Sequence, residues 1–383
     1  MTGGLERAAS IDDLRLRARR RLPRFAFDFI DGGAESEMGL ARNRSALDAL
    51  TLAPRYLVDL SAYDTETTLF GKAYAAPFGI APMGFINMAW PGADLAFARL
   101  AARERIPHAI STAASTPLEV LAEAAEGYAW FQIYVSNDRE MTAHFLDRAE
   151  AAGCEALLVT VDVPTTGKRD RDIRNGLRIP FRPTPSILAD LALHPRWSLG
   201  TLRAGAPHFA NLSGARAGDY ASMTLAEVQK RLLIADRFDW DGLKRLRERW
   251  KGPLLLKGVM RADDAEKAAA AGCDGLVVSN HGGRQADYAP ASAEVLPAIA
   301  AAVAGRMTLI LDSGVRRGAD IARAKALGAE FALAGRAFAY GAGAGGAAGA
   351  ARAFEILKTE LLRTMGQIGQ PVFRKIGPEA LGP

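Results

Sequence analysis

Ala271-Gly272-Cys273-Asp274-Gly275-Leu276-Val277-Val278-Ser279 repeats, nearly residue for residue, the stretch Ala152-Gly153-Cys154-Glu155-Ala156-Leu157-Leu158-Val159-Thr160. Leu327-Gly328-Ala329-Glu330-Phe331-Ala332-Leu333-Ala334-Gly335 is a looser third copy. Each copy reads as an alanine-rich helix stopped by glycine, then an acidic turn, then a short apolar run of the kind that forms a buried parallel strand. Repetition of that unit implies repeated βα crossovers. Outward from the three copies, candidate strands fall at residues 78–82, 107–111, 129–134, 156–161, 253–257, 275–279, 308–312 and 331–335. Eight such strands with helical patterns between them predict a (β/α)8 TIM barrel rather than an open sheet.

At 383 residues the chain is read as a single barrel domain over 1–383. A helical segment at 10–48, punctuated by Pro23, leads into it, and an insertion of about 164–252 follows the fourth strand. That gap is too long for an ordinary βα connection. It holds Pro180, Pro183, Pro185, Pro195 and Pro207, then a more helical stretch over 224–250. Two readings stand for it: a lid or docking element on the barrel rim, or a purely structural excursion. Residues 341–349 are glycine and alanine alone, and read as a helix-packing stretch rather than a phosphate loop.

Composition narrows the class. With 49% hydrophobic residues there is material for a sizeable core, and 48 Lys+Arg against 43 Asp+Glu leaves only +5. That excess falls short of a nucleic-acid-binding charge density, so no nucleic-acid partner is expected. An anionic substrate or membrane surface suits it better. Cys154 and Cys273 have no metal-ligand spacing and sit in apolar contexts that favour reduced, buried thiols; no metal is expected, and the cytoplasm is the expected compartment. Residues 1–21 are arginine-rich without an apolar core, which is not the pattern of a signal peptide. The longest uncharged run, 337–351, is too short and too weakly apolar to span a bilayer.

Chemistry concentrates where strands end. The run Leu276-Val277-Val278-Ser279 stops at Asn280-His281-Gly282-Gly283-Arg284-Gln285, which places a base and a planar cation at a strand's carboxyl end. Asp312-Ser313-Gly314-Val315-Arg316-Arg317-Gly318 follows the seventh candidate strand and Gly335-Arg336 the eighth, where barrels commonly build a phosphate site. Arg316-Arg317 alone also reads as the solvated start of a helix; the pairing with Gly335-Arg336 favours the phosphate.

Together with Leu256-Lys257-Gly258, Trp130-Phe131-Gln132-Ile133-Tyr134 and Thr160-Val161-Asp162, these motifs resemble the FMN-dependent 2-hydroxy-acid oxidases and dehydrogenases, in order, from Leu22-Pro23 to about Gly369. Ala89-Trp90-Pro91 with Asp94-Leu95-Ala96, and Leu193-His194-Pro195-Arg196-Trp197-Ser198-Leu199, look most like the mandelate dehydrogenase branch. The resemblance implies FMN as cofactor and oxidation of an (S)-2-hydroxy acid to the 2-keto acid. By position, it makes His281 the active-site base and Asp162 its orienting partner, Arg169 and Arg284 the holders of the substrate carboxylate, and Tyr134 a hydroxyl facing the substrate oxygen. Lys257 matches a lysine beside the flavin N1–C2 carbonyl edge. Pro82, Met83 and Gly84 match a segment against the flavin face, Ser111, Gln132 and Thr160 contacts to the ring, and Asp312, Gly314, Arg316, Gly335 and Arg336 contacts to the ribityl chain and phosphate.

Two positions set expectations about substrate. Phe29 stands where the family usually has a tyrosine that hydrogen-bonds the carboxylate, and Ala113 where short-chain oxidases often carry tryptophan, so the pocket is expected to be larger and to suit an aryl or bulky apolar side chain. Phe29 and Ala113 also motivate an alternative, an FMN oxidase of an amine, amino acid or modified peptide; a catalytically silent flavin-binding or membrane-associated protein is a further one. Residues 176–216 mix Phe181, Ile187, Leu188, Leu191, Leu193, Trp197 and Leu199 with Arg178, Arg182, Arg196 and Arg203. The segment resembles that branch's membrane-binding element, which implies peripheral contact with the cytoplasmic face of a membrane and a quinone acceptor. A lid packed on its own barrel or on a neighbouring subunit is the competing reading, O2 the competing acceptor, and a homotetramer the implied assembly.

Overall fold

In the computed structural model, which describes residues 4–176, 184–212 and 238–382, eight parallel strands close into a barrel in sequence order. They are β1 (Phe78–Ile80), β2 (His108–Ser111), β3 (Ala129–Tyr134), β4 (Ala156–Thr160), β5 (Leu254–Val259), β6 (Gly275–Val278), β7 (Thr308–Leu311) and β8 (Phe331–Ala334), with β8 paired to β1. The (β/α)8 expectation is met, and each candidate strand is found within two residues of its expected ends.

The strands are apolar on both faces because both are buried. Ala109, Trp130, Leu158, Leu255, Val277, Ile310 and Leu333 fill the barrel interior, while Phe78, Phe131, Leu157, Leu254 and Leu276 pack outward against helices through partners such as Phe97 and Phe145. Burial of each large side chain contributes about 1.5–3 kcal/mol. Register then sets the rim: Tyr134 lies opposite Thr160 and Thr160 opposite Lys257, so three expected site residues share one level at the carboxyl end. Just beyond, the β5–β6 ladder slips between Lys257 and Val259, at Gly258 with φ +105°.

An antiparallel hairpin, Thr67–Leu69 with Lys72–Tyr74, has no counterpart among the expected strands. Leu69 and Tyr74 join the interior cluster at the amino end of the barrel, where Trp130 Nε1 donates to Tyr74 Oη at 3.1 Å. Its two turn residues, Phe70 and Gly71, have φ of 52° and 83°. Paired left-handed residues match the right-handed twist of a hairpin, but the first is more often Asn or Asp.

Three helices precede the barrel: α1 (Ile11–Arg21), capped by Ser10 Oγ, α2 (Arg24–Asp31) and α3 (Met38–Asp48). The Gly/Ala stretch lies in the last helical segment, Arg336–Gln367, which breaks at Gly345 and Gly346. There it lets helices approach closely: a Cβ on Gly343 would stand 3.0 Å from Ala18 Cβ of α1. Of the insertion, helices Pro185–Leu193 and Pro195–Ala204 are described, and Trp240–Arg249 leads back to β5. Ile187 and Trp197 face inward, Trp197 meeting Phe25 edge-on with ring centroids 5.5 Å apart and donating to the Met88 carbonyl at 2.9 Å. Leu188, Leu193, Leu199 and Leu202 are exposed. Pro180, Pro183, Arg178, Phe181, Arg182, residues 213–216 and the stretch expected to be helical over 224–237 lie outside the described residues.

Candidate active site

After β6 the chain turns sharply, with positive φ at His281 (60°), Gly282 (67°) and Gly283 (71°). A histidine in that region is strained, and two hydroxyls hold the turn. Ser279 Oγ accepts from the His281 amide at 3.0 Å, and Ser313 Oγ from the Gly282 amide at 2.9 Å. His281 Nδ1 thereby meets Asp162 Oδ1 at 2.9 Å, while its Nε2 lies 3.5 Å from the Tyr134 hydroxyl. Asp162 fits beside β5 only because residue 258 is glycine: a Cβ there would lie 2.6 Å from Asp162 Cβ.

Burial lowers the His281 pKa, Asp162 opposes that shift, and Lys257 and Arg169 add to it, for a net lowering. That direction favours the neutral ring. With Nδ1–H committed to Asp162, the Nε2 lone pair faces the cavity. Burial also works against the Asp162 carboxylate, but His281 and Lys257 outweigh it and hold its pKa below the usual range.

Cations crowd the same cavity. Lys257 is 3% exposed; its Nζ donates to Ser279 Oγ at 3.1 Å and lies 3.3 Å from Asp312 Oδ2. Burial disfavours its charge, yet Asp312 and Asp162 raise its pKa above the ordinary value. Arg284 donates from one nitrogen to the Phe29 and Gly32 carbonyls, both at 2.8 Å, with its guanidinium carbon 5.4 Å from the centre of the Phe29 ring. Burial, then Arg169 and Arg336, push its pKa well down. Arg169 keeps a buried Nε without a partner, and its nearest carboxylate, Asp172, is 3.9 Å away. Two guanidiniums lining one cavity, one of them disfavoured as a cation by the other, favour an anion beside them.

Among the residues that line the cavity are Phe29, Pro82, Met83, Gly84, Ala113, Gln132, Tyr134, Thr160, Arg169, Lys257, His281, Arg284, Asp312, Gly314, Arg316, Gly335 and Arg336, each of them expected from sequence. Asp162 stands behind His281. Ser111 also stands back from the lining: its hydroxyl donates to Gln132 Oε1 at 2.9 Å and so orients the glutamine. Arg336 donates through its guanidinium to the carbonyls of Ile30 (3.0 Å), Gly282 (2.7 Å) and Gly32 (2.7 Å), which clamps α2 to the barrel rim. Its backbone stands at the start of a helix, an end that suits an anion.

Three features fit FMN. Gln132 Nε2 and Thr160 Oγ1 are buried and unpartnered in the cavity wall, a donor and a hydroxyl suited to the heteroatom edge of a flavin ring. Lys257 adds a fixed positive charge at that level. The loops at Gly314 and Gly335 present backbone beside Arg316, whose guanidinium carbon lies 5.6 Å from the Tyr340 ring centre. Sequence reasoning missed Ser279, which joins Lys257, Asp312 and His281 through one hydroxyl, and the apolar wall of Phe85, Met88 and Phe209. Only Ser279 had a signal, its place at the end of β6. Among the described residues no group of three or more His, Cys, Asp or Glu side chains is placed to hold a metal.

A closed βα barrel with a His–Asp pair, a buried lysine and glycine-bearing loops around one cavity fits a flavin-dependent barrel oxidoreductase. Residues 18–383 match the profile of the FMN-dependent dehydrogenases, and the chain belongs to that family of FMN enzymes acting on 2-hydroxy acids. It is 39% identical to (S)-mandelate dehydrogenase of Pseudomonas putida over 372 residues, 97% of this chain and 93% of the relative. It is also 39% identical to L-lactate dehydrogenase of Haemophilus influenzae (strain PittEE), covering 97% and 98%. A crystal structure of the monotopic membrane protein (S)-mandelate dehydrogenase superposes with a TM-score of 0.93 at 37% identity, over 98% of this chain and 99% of that one.

Proposed function

We propose that the enzyme oxidises an (S)-2-hydroxy acid with an aryl or other bulky apolar side chain, of the mandelate kind, to the 2-keto acid. The supporting observation is the mixed lining of the cavity. The lining includes the polar Arg169, Arg284, Tyr134 and His281 and also the apolar Ala113, Phe85, Met88 and Phe209, with Phe85 and Phe209 in edge contact at 4.3 Å between centroids. A small side chain would leave that apolar lining wet, whereas an aryl ring covers it.

In this reading Arg169 and Arg284 hold the carboxylate, each charge-assisted bond contributing about 1.5–3 kcal/mol. Tyr134 and His281 Nε2 converge on the substrate hydroxyl. His281 takes a proton at Nε2, and Asp162 stabilises the resulting imidazolium, a general-base contribution of about 10²- to 10⁴-fold. FMN, when bound, supplies the acceptor for the two electrons that leave the substrate carbon. Gln132, Thr160 and Lys257 would hold the ring edge; Gly314, Arg316 and the backbone at Gly335 and Arg336 would hold the phosphate, with Asp312 beside the ribityl chain, and Pro82, Met83 and Gly84 would line the cofactor's side of the cavity.

The exposed leucines of the insertion, beside Arg196 and Arg203, support peripheral membrane contact with a quinone as electron acceptor. No helix among the described residues is long and apolar enough to cross a membrane.

The test is the visible spectrum under anaerobic conditions before and after (S)-mandelate. Bleaching of the flavin bands is expected, and His281→Asn should retain the bands and lose the bleaching. A protein that bleaches with (S)-lactate or an amino acid but not with (S)-mandelate would overturn the substrate assignment.

A further inference from the structure

The cavity's phosphate end and its carboxylate end are joined behind α2 through one buried carboxylate. Asp31, the last residue of α2, is 2% exposed. Its Oδ1 accepts from Arg15 Nε and, at 2.7 Å, from the Tyr340 hydroxyl; its Oδ2 accepts from Arg171 at 2.9 Å and from Arg15 at 3.0 Å. Burial alone would raise its pKa, but the bonds from Arg15, Tyr340 and Arg171 outweigh that and hold it far below the usual carboxylate range. Asp31 thus has four donors in place.

Two of these donor residues lead on toward the cavity. Tyr340 lies under Arg316, the guanidinium of the phosphate end. Arg171 sits two residues past Arg169 and also pairs with Asp28 and Glu37, fixing the turn that carries Arg169. Between these arms the carbonyls of Phe29, Ile30 and Gly32 accept from Arg284 and Arg336. None of these contacts has Asp31 touching the cavity itself.

We infer that Asp31 is a positioning residue with two arms: through Tyr340 it sets Arg316 for the cofactor phosphate, and through Arg171 it sets Arg169 for the substrate carboxylate. The inference rests on the roles proposed above for Arg316 and Arg169. A buried carboxylate with several donors fixes orientation, because any rotation breaks more than one charged bond.

The arms separate experimentally. Tyr340→Phe should weaken FMN about tenfold, read as the dissociation constant from quenching of flavin fluorescence by apoprotein, with KM at saturating FMN unchanged. Arg171→Gln should raise KM about tenfold with kcat within about twofold and FMN affinity unchanged. Asp31→Asn should do both. Arg316→Ala and Arg169→Ala test the underlying roles directly: if Arg316→Ala leaves FMN affinity at its original value, or Arg169→Ala leaves KM so, the reading of the site fails. If those two respond while Tyr340→Phe and Arg171→Gln change only the melting temperature, or shift both constants alike, the two-armed role of Asp31 is overturned. Should Asp31→Asn not fold, the two arm variants decide alone.

Discussion

His281 and Asp162, 119 residues apart in sequence, share a 2.9 Å bond between Nδ1 and Oδ1 at the junction of β4, β5 and β6. The bond fixes which ring nitrogen faces the substrate, and with it the direction of proton movement.

A pH dependence follows, with a definite sign. The base works neutral, and burial places its pKa below the usual value of about 6.5. The acidic limb of kcat/KM should therefore lie below that pH, with activity falling as His281 protonates. Asp162 favours the imidazolium, so Asp162→Asn should move the limb to lower pH and reduce kcat/KM by about 10²- to 10⁴-fold. Arg169 disfavours it, so Arg169→Met should move the limb to higher pH in addition to its effect on KM. Profiles of kcat/KM for the three proteins decide; opposite shifts would exclude His281 as the titrating base.

Phe29 lines the cavity under Arg284 and lacks a hydroxyl. Phe29→Tyr should add a donor to the bound carboxylate and lower KM by about 2- to 10-fold, the equivalent of one ordinary hydrogen bond, with kcat little changed. An unchanged KM would mean that the added hydroxyl points away from the carboxylate.

Gly258→Ala combines an unfavourable φ of +105° with a Cβ 2.6 Å from Asp162 Cβ. We expect a loss of about 2–4 kcal/mol in urea unfolding, and loss of the His281–Asp162 bond in any protein that folds. A stable variant with native activity would show that Asp162 has room to move.

Replacing Leu188, Leu193, Leu199 and Leu202 together by serine should cut co-sedimentation with anionic phospholipid vesicles at least about tenfold. Turnover with a soluble electron-accepting dye should persist, because Ile187 and Trp197 supply the inward packing. Unchanged sedimentation would assign the exposed leucines to another partner.

Much of this was legible in sequence because its signals are local. Gly272 and Gly328 stop helices, the apolar runs after them form strands, and residues at strand ends fall on the rim by geometry. What was not legible depends on contacts across the chain. Phe70 gives no hairpin signal, because only its backbone angle makes the turn. Phe209 reaches the apolar wall from the insertion, and Tyr340 meets Asp31 across 309 positions. The protein partners of Ser111 and Arg336, Gln132 and the Ile30 carbonyl among them, were not legible either, since a residue's position at a strand end does not say which neighbour its polar atoms will choose.

The hairpin at the amino end, with Tyr74 and Trp130 wedged into the barrel floor, has a kinetic corollary. The barrel is a cup and not a tube, so traffic uses one rim. Departing keto acid and arriving oxidant contend for that opening, and the keto acid should inhibit competitively against the electron acceptor.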